Sequence, residues 1–234
     1  MSRGGKVTQQ GNEPDAVHAD GLGPSQVIAV LDARGDILVN GATAFLSLLL
    51  GAQAEAPHRT AELLDRIVAA AVAQTTAKVQ YDGSYRRIRY PGGDVPSSIG
   101  VCTDVVIRAY RAVQIDLQQR VHEDMRAAFE AYPKLWRLAR PDSNIDHRRV
   151  PNLQVFFRRR GAEVPATKNP QDYTAGDLVT WMLPGNLPHI GIVTSQRTAD
   201  GQRPIIVHNI GNGPELEDML LRFPITGHFR YRGQ

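Results

Sequence analysis

The hydrophobic period of this chain changes once, near Ala175-Gly176-Asp177, and that change restricts the folds open to it. Upstream, Leu64, Ile67, Val68, Ala71 and Val72 recur at helical spacing and predict a helix from Thr60 to about Thr76. Val105, Val106, Ala109 and Val113 form a second stripe that starts at Cys102. Asp116 is placed to cap a third helix carrying Leu117, Val121, Met125, Ala128 and Tyr132. Pro151 suits the first turn of a fourth, with Leu153, Phe156 and Phe157 on its apolar face and Gly161 as its stop. Downstream, residues 178–182 and 189–194 read as strands joined by Leu183-Pro184-Gly185-Asn186, a hairpin connection. A third strand is expected over 205–210 and a last one over 226–231. Helices first and antiparallel strands afterwards predict an α+β domain with its helices packed on one sheet.

A 25.7 kDa chain with 42% hydrophobic and 22% charged residues can bury a substantial core. Residues 1–57 read differently from residues 58–234, which form the expected domain. The opening, rich in Gly, Asp and polar residues, is expected to be disordered. Within it, residues 41–54 resemble a secretory apolar segment ending in Ala52-Gln53-Ala54, which predicts export to the periplasm or beyond and a mature start near Glu55. The alternative is an ordinary buried helix, since the run is too short to span a bilayer.

The net charge of +3 is carried mostly by arginine, with clusters at Arg86-Arg87-Ile88-Arg89 and Arg158-Arg159-Arg160. Either cluster can bind phosphate, but no zinc finger, basic heptad helix or aromatic RNA-binding signature accompanies them, so a solvated surface is the expectation. One cysteine excludes an intrachain disulfide and any multi-cysteine zinc site.

That cysteine, Cys102, opens its helix in Gly100-Val101-Cys102-Thr103-Asp104, where unpaired N–H groups and the helix dipole should lower a thiol pKa. His189 opens one strand pattern and His208 lies on another. A thiol needs a base to take its proton and a third polar group to orient that base, and such residues meet in the fold whatever their separation in sequence. Asn209 is the alternative orienting group to His208, because neighbouring strand residues face opposite sides. The bland reading makes Cys102 a small buried core residue.

The motifs Tyr81-Asp82-Gly83-Ser84-Tyr85, Tyr90-Pro91-Gly92-Gly93-Asp94, Gly100-Val101-Cys102-Thr103-Asp104, Asn144-Ile145-Asp146-His147-Arg148-Arg149-Val150-Pro151 and Leu187-Pro188-His189-Ile190-Gly191-Ile192-Val193 resemble the YijF-like bacterial family, a domain of unknown function. The resemblance runs from about Val79 to Tyr231. A wider one is to NlpC-type cell-wall peptidases, whose papain-like fold places the nucleophile at a helix start and the base at a strand start after Gly-Asp-Leu-Val, here Gly176-Asp177-Leu178-Val179. The resemblance implies a papain-like cysteine peptidase or amidase acting on peptidoglycan stem peptides. Cys102 would be its nucleophile, His189 its base and His208 its orienting residue. It implies no cofactor, no nucleic-acid partner and no membrane span. Tyr90, twelve positions before Cys102, matches a family tyrosine and would face the oxyanion beside the Cys102 N–H. The chain departs from the family's Asp-Cys-Ser-Gly at Val101-Cys102-Thr103-Asp104, and residues 195–203 form an enlarged turn.

Asp104 is expected either to orient a substrate amine or to pair with an arginine. Asp146, His147 and Arg148 are read as a carboxylate-recognition cluster, or as a salt-bridge network leading into a helix. Three other functional readings remain. The first is a non-catalytic wall-binding module of the same fold, and the second is acyl transfer by the same thiol. The third is a metal site drawn from His147, His189, His208, Glu215, Glu217 or Asp218. No short ligand spacing supports that one, and the expectation is that no metal is bound.

Overall fold

A computed structural model describes residues 58–234, and the extension 1–57 with its signal-like segment 41–54 lies outside the described residues. The first helix, α1, covers 58–73 and passes into a 3-10 turn, Gln74–Thr76. A short parallel pair follows, β1 (Gln80–Tyr81) and β2 (Ile99–Gly100), and leads into α2 (Cys102–Arg111). The helix α3 (Leu117–Ala127) begins at Asp116, whose carboxylate accepts the Gln118 N–H at 3.0 Å. It stops short of Tyr132 because Ala128 leaves helical geometry, and a separate 3-10 turn spans Phe129–Ala131. A further 3-10 turn, Asp146–Arg148, precedes α4 (Val150–Arg159).

The sheet comprises β3 (Leu178–Leu183), β4 (Leu187–Arg197), β5 (Pro204–His208), β6 (Glu215–Glu217) and β7 (Ile225–Phe229), in spatial order β6-β5-β4-β3-β7 with every pairing antiparallel. The β3–β4 hairpin turns at Gly185 and Asn186, both with positive φ, as tight hairpins require. Helices packed against an antiparallel sheet are thus present, as the change of period predicts. Two features differ from the reading. β6 has only three residues, Glu-Leu-Glu, with no apolar run to announce it. β5 ends at His208 because Asn209 turns away to other partners.

α2 is the axis of the core. Every residue in it except Arg108 and Arg111 is buried, and Val105, Val106, Ile107 and Tyr110 pack with Ile190, Ile192 and Val207 of the sheet. Burying each such side chain is worth about 1.5–3 kcal/mol. Tyr110 also donates its hydroxyl proton to the Tyr231 carbonyl at 2.9 Å, so the chain's C-terminal segment is tied to the helix that carries the thiol. A second cluster, with Val179, Trp181, Val193 and Ile206 at its centre, covers the other side of the sheet. Among the described residues no helix is long and apolar enough to cross a membrane.

Candidate functional site

Cys102 occupies the first turn of α2, where the Asp104 carboxylate accepts the Val101 N–H at 2.7 Å and closes the helix start. The residue is only 4% exposed but borders an open cleft of about 430 Å³, walled also by Tyr81, Val101, Trp136, Arg149 and Pro188. The N–H groups of Ile190, Thr103 and Cys102 itself all favour the thiolate. Burial outweighs them and, with the Asp104 charge, pushes the thiol up to about 11. The lowering expected of a helix start is therefore overturned, because desolvation is the largest influence on this sulfur.

Three adjacent strands each contribute one residue to a polar chain on the sheet. His189 on β4 meets His208 on β5, Nε2 to Nδ1 at 3.1 Å, and His208 Nε2 meets Glu217 Oε2 on β6 at 3.1 Å. Glu217 is held in turn by the Arg222 guanidinium. A carboxylate only accepts hydrogen bonds, so His208 Nε2 carries the proton in this chain. A neutral His208 then accepts at Nδ1, which requires His189 to donate from Nε2. His189 is left with its lone pair on Nδ1, the form a general base needs. Burial, followed by the neighbouring His208, pushes His189 down to about 3, so its imidazole is neutral over the physiological range. Burial likewise lowers His208, and Glu217 opposes that shift.

The sulfur and the imidazoles are not bonded partners. Alternation along β4 sends Ile190 into the helix-side core with Cys102, whereas His189 lies beside Trp181, its cross-strand neighbour, with ring centroids 6.0 Å apart. Consequently the Ile190 N–H reaches the sulfur, and no hydrogen bond joins either imidazole to it among the described residues.

Tyr90 does not stand near the thiol. Its ring is edge-on to His122 at 4.9 Å, among the charges of α3, because the loop 82–98 carries it away from the start of α2. The tyrosine beside the sulfur is Tyr81, whose hydroxyl hydrogen-bonds Cys102 and is pushed up to about 12, chiefly by burial. The signal for it lay in the strand β1, which pairs with β2 immediately before the helix: Tyr81 is opposite Gly100.

Asp104 is committed to structure. The Arg148 guanidinium grips both its oxygens, at 2.9 and 2.8 Å, and Arg148 also donates to the Asp82 carbonyl at 3.1 Å. Both side chains are buried, and removing one partner would strand a charge at a cost of roughly 3–5 kcal/mol. Neither is available to a substrate amine or carboxylate. Asp146 is likewise engaged, by Arg149 at 3.1 Å and by the Asp142 N–H, although burial raises its pKa. His147 is buried with Nδ1 lacking a partner, and burial pushes it down to about 3. Asn209 donates to the Gly100 carbonyl at 3.4 Å and accepts the Gly211 N–H at 3.1 Å, so it ties β5 to the segment before the thiol and takes no part in orienting His189. The cluster read as carboxylate-binding is thus the scaffold that braces α2 and the loop 82–98.

Of the residues weighed as metal ligands, His208, Glu215 and Glu217 bring ligand atoms within 4.8 Å of one another. The His208–Glu217 and Glu217–Arg222 contacts satisfy Glu217 without an ion, and His147 belongs to a different part of the fold.

Residues 68–231 match the family model described as Domain of unknown function (DUF1287). A protein of Escherichia coli (strain K12) described as "Uncharacterized protein YijF" is 54% identical over 151 residues, which covers 64% of this chain and 73% of that protein. Among solved structures, the "Structure of NlpC1 from Trichomonas vaginalis" aligns at 13% identity with a TM-score of 0.39. It covers 72% of this chain, which spans only 44% of that one, and superposition at this level carries no weight for fold or mechanism. The family model accounts for most of the chain, and with the close bacterial relative it establishes that the protein belongs to the DUF1287 family.

Proposed function

We propose that the protein is a cysteine hydrolase of NlpC-like, papain-type architecture that cleaves an amide bond, with peptidoglycan stem peptides as its substrate class. The supporting observation is the directed donor chain His189–His208–Glu217, which leaves an unprotonated imidazole nitrogen one residue from the backbone N–H that touches the thiol. In this reading Cys102 sulfur attacks the carbonyl carbon while His189 Nδ1 takes the thiol proton. The tetrahedral intermediate collapses, the C–N bond breaks, and the amine leaves with the proton returned by His189. Water then attacks the thioester, gives its proton to His189, and releases the carboxylic acid and the thiol. The Cys102 N–H and the Tyr81 hydroxyl are the donors nearest the developing oxyanion.

The two pKa shifts have opposite signs and both favour a neutral thiol beside a neutral imidazole. A standing thiolate–imidazolium pair is therefore not the resting state. In this reading the proton moves only in the attacking step.

Incubation of the purified protein with muropeptides, followed by mass spectrometry, tests the reading. Cleavage by the native chain should fall at least a hundredfold in Cys102→Ala and in His189→Ala, and persist in chelator. Equal cleavage by native protein and Cys102→Ala would refute the thiol mechanism, and loss in chelator alone would favour a metal at His208, Glu215 and Glu217. Action outside the cytoplasm rests on residues 41–54. A cell-made chain beginning near Glu55 supports it, and an intact Met1 opposes it.

A further inference from the structure

A cavity of about 950 Å³ lies apart from the thiol cleft and is walled by four arginines, Arg87, Arg126, Arg137 and Arg140, with His122 and Asp142. None of the four makes an ion pair among the described residues, although most other arginines of the fold do, Arg108, Arg148, Arg159, Arg203 and Arg230 among them. The one carboxylate in the wall, Asp142, is already engaged, accepting the Asn144 N–H at 2.9 Å and its side-chain amide at 2.7 Å. His122 presents a buried Nδ1 that has no hydrogen-bond partner. Four exposed guanidinium groups around one concavity give it a positive potential, and the buried His122 nitrogen beside them lacks a partner. An anionic guest answers both.

We propose that this cavity is a binding site for a multivalent oxyanion, a group bearing two or more phosphates or carboxylates. Guanidinium forks match either oxyanion in a bidentate manner, and the unpartnered His122 Nδ1 adds a donor when it carries the ring proton. Its position gives the site a use. The loop that carries Tyr81 and Gly83 into the thiol cleft carries Arg87 into this cavity, and the segment that places Leu135 and Trp136 in the first places Arg137 and Arg140 in the second. An anionic portion of a ligand held here lies alongside the cleft that contains Cys102.

The test measures binding alone, so its outcome is separate from that of the thiol chemistry. Isothermal titration of the full-length protein with tripolyphosphate and with citrate should give saturable binding to at least one of them, weakening as salt is added. The variant Arg126→Ala/Arg140→Ala should bind at least tenfold more weakly. A control of equal charge outside the cavity, Arg197→Ala/Arg232→Ala, should bind within twofold of the native chain. Tighter tripolyphosphate binding identifies a phosphorylated guest, and tighter citrate binding a polycarboxylate; either result supports the site. Thermal unfolding without ligand shows whether each variant is folded. Absence of saturable binding, or equal weakening in the control, would overturn the proposal.

Discussion

A single side chain, Glu217, sets the protonation pattern of the whole site. Without it, His208 is free to hold its proton on either nitrogen, and His189 loses the donor–acceptor direction that leaves Nδ1 basic. Glu217 touches neither thiol nor cleft, so it acts as a positioning residue. Glu217→Leu, which removes the acceptor, should lower kcat about tenfold to a hundredfold with little change in KM, whereas Glu215→Gln, on the same strand but without a bond to His208, should leave both within about twofold. Steady-state kinetics on a muropeptide substrate decide this, and an unchanged kcat in Glu217→Leu would remove the directed chain from the mechanism. Glu217 was not legible in the sequence as an orienting residue. Glu-Leu-Glu has no apolar signature, and its nearness to His208 comes from strand pairing across the intervening turn.

Between elements, the spacing of β4 and β5 is what brings the two imidazoles together, and Gly191 sets it. A Cβ there would stand 2.7 Å from Ile206 Cγ2, 3.0 Å from the Val207 carbonyl oxygen and 3.1 Å from His208 Cβ. Backbone cannot yield as a flexible side chain can, so β5 must move away from β4. Gly191→Ala should lose about 1–3 kcal/mol of stability and with it the His189–His208 contact. Urea denaturation followed by activity assay checks both, and native stability in this variant would show that the strands are not held at their limit. The sequence marked the glycine only as part of a family motif; the reason for it is a neighbour fifteen residues away.

For the whole molecule, burial decides how the protein responds to acid. His147 and His189 are each pushed down to about 3 by desolvation, against an ordinary histidine value of 6.5. The unfolded chain therefore binds protons at these positions below about 6.5 while the folded chain does not. Their contribution to stability is complete above that pH and is lost as pH falls towards 3, at about 1.4 kcal/mol per pH unit for each histidine. Asp177, lowered by its bonds to Arg230 and His228 against the desolvation that raises it, adds a loss of the same sign at the acid end. Asp146, raised by burial, works in the opposite sense. Urea midpoints at pH 7, 5 and 4 should fall steadily, with a shallower fall in His147→Gln; a flat profile would contradict the burial of both rings in neutral form.

By itself, the sequence determined the succession of helices and antiparallel strands, the thiol at a helix start, and histidines on two strands that turn out to be neighbours. These are local properties, carried by the spacing of side chains along one element. Only the tertiary structure decided that Tyr81 rather than Tyr90 meets the sulfur, that Arg148 and Asp104 satisfy each other, that Glu217 completes the imidazole chain, and that the thiol is raised rather than lowered. Each of those outcomes depends on desolvation or on a partner distant in sequence, and periodicity carries no record of which atoms will surround a group once the chain has closed on itself.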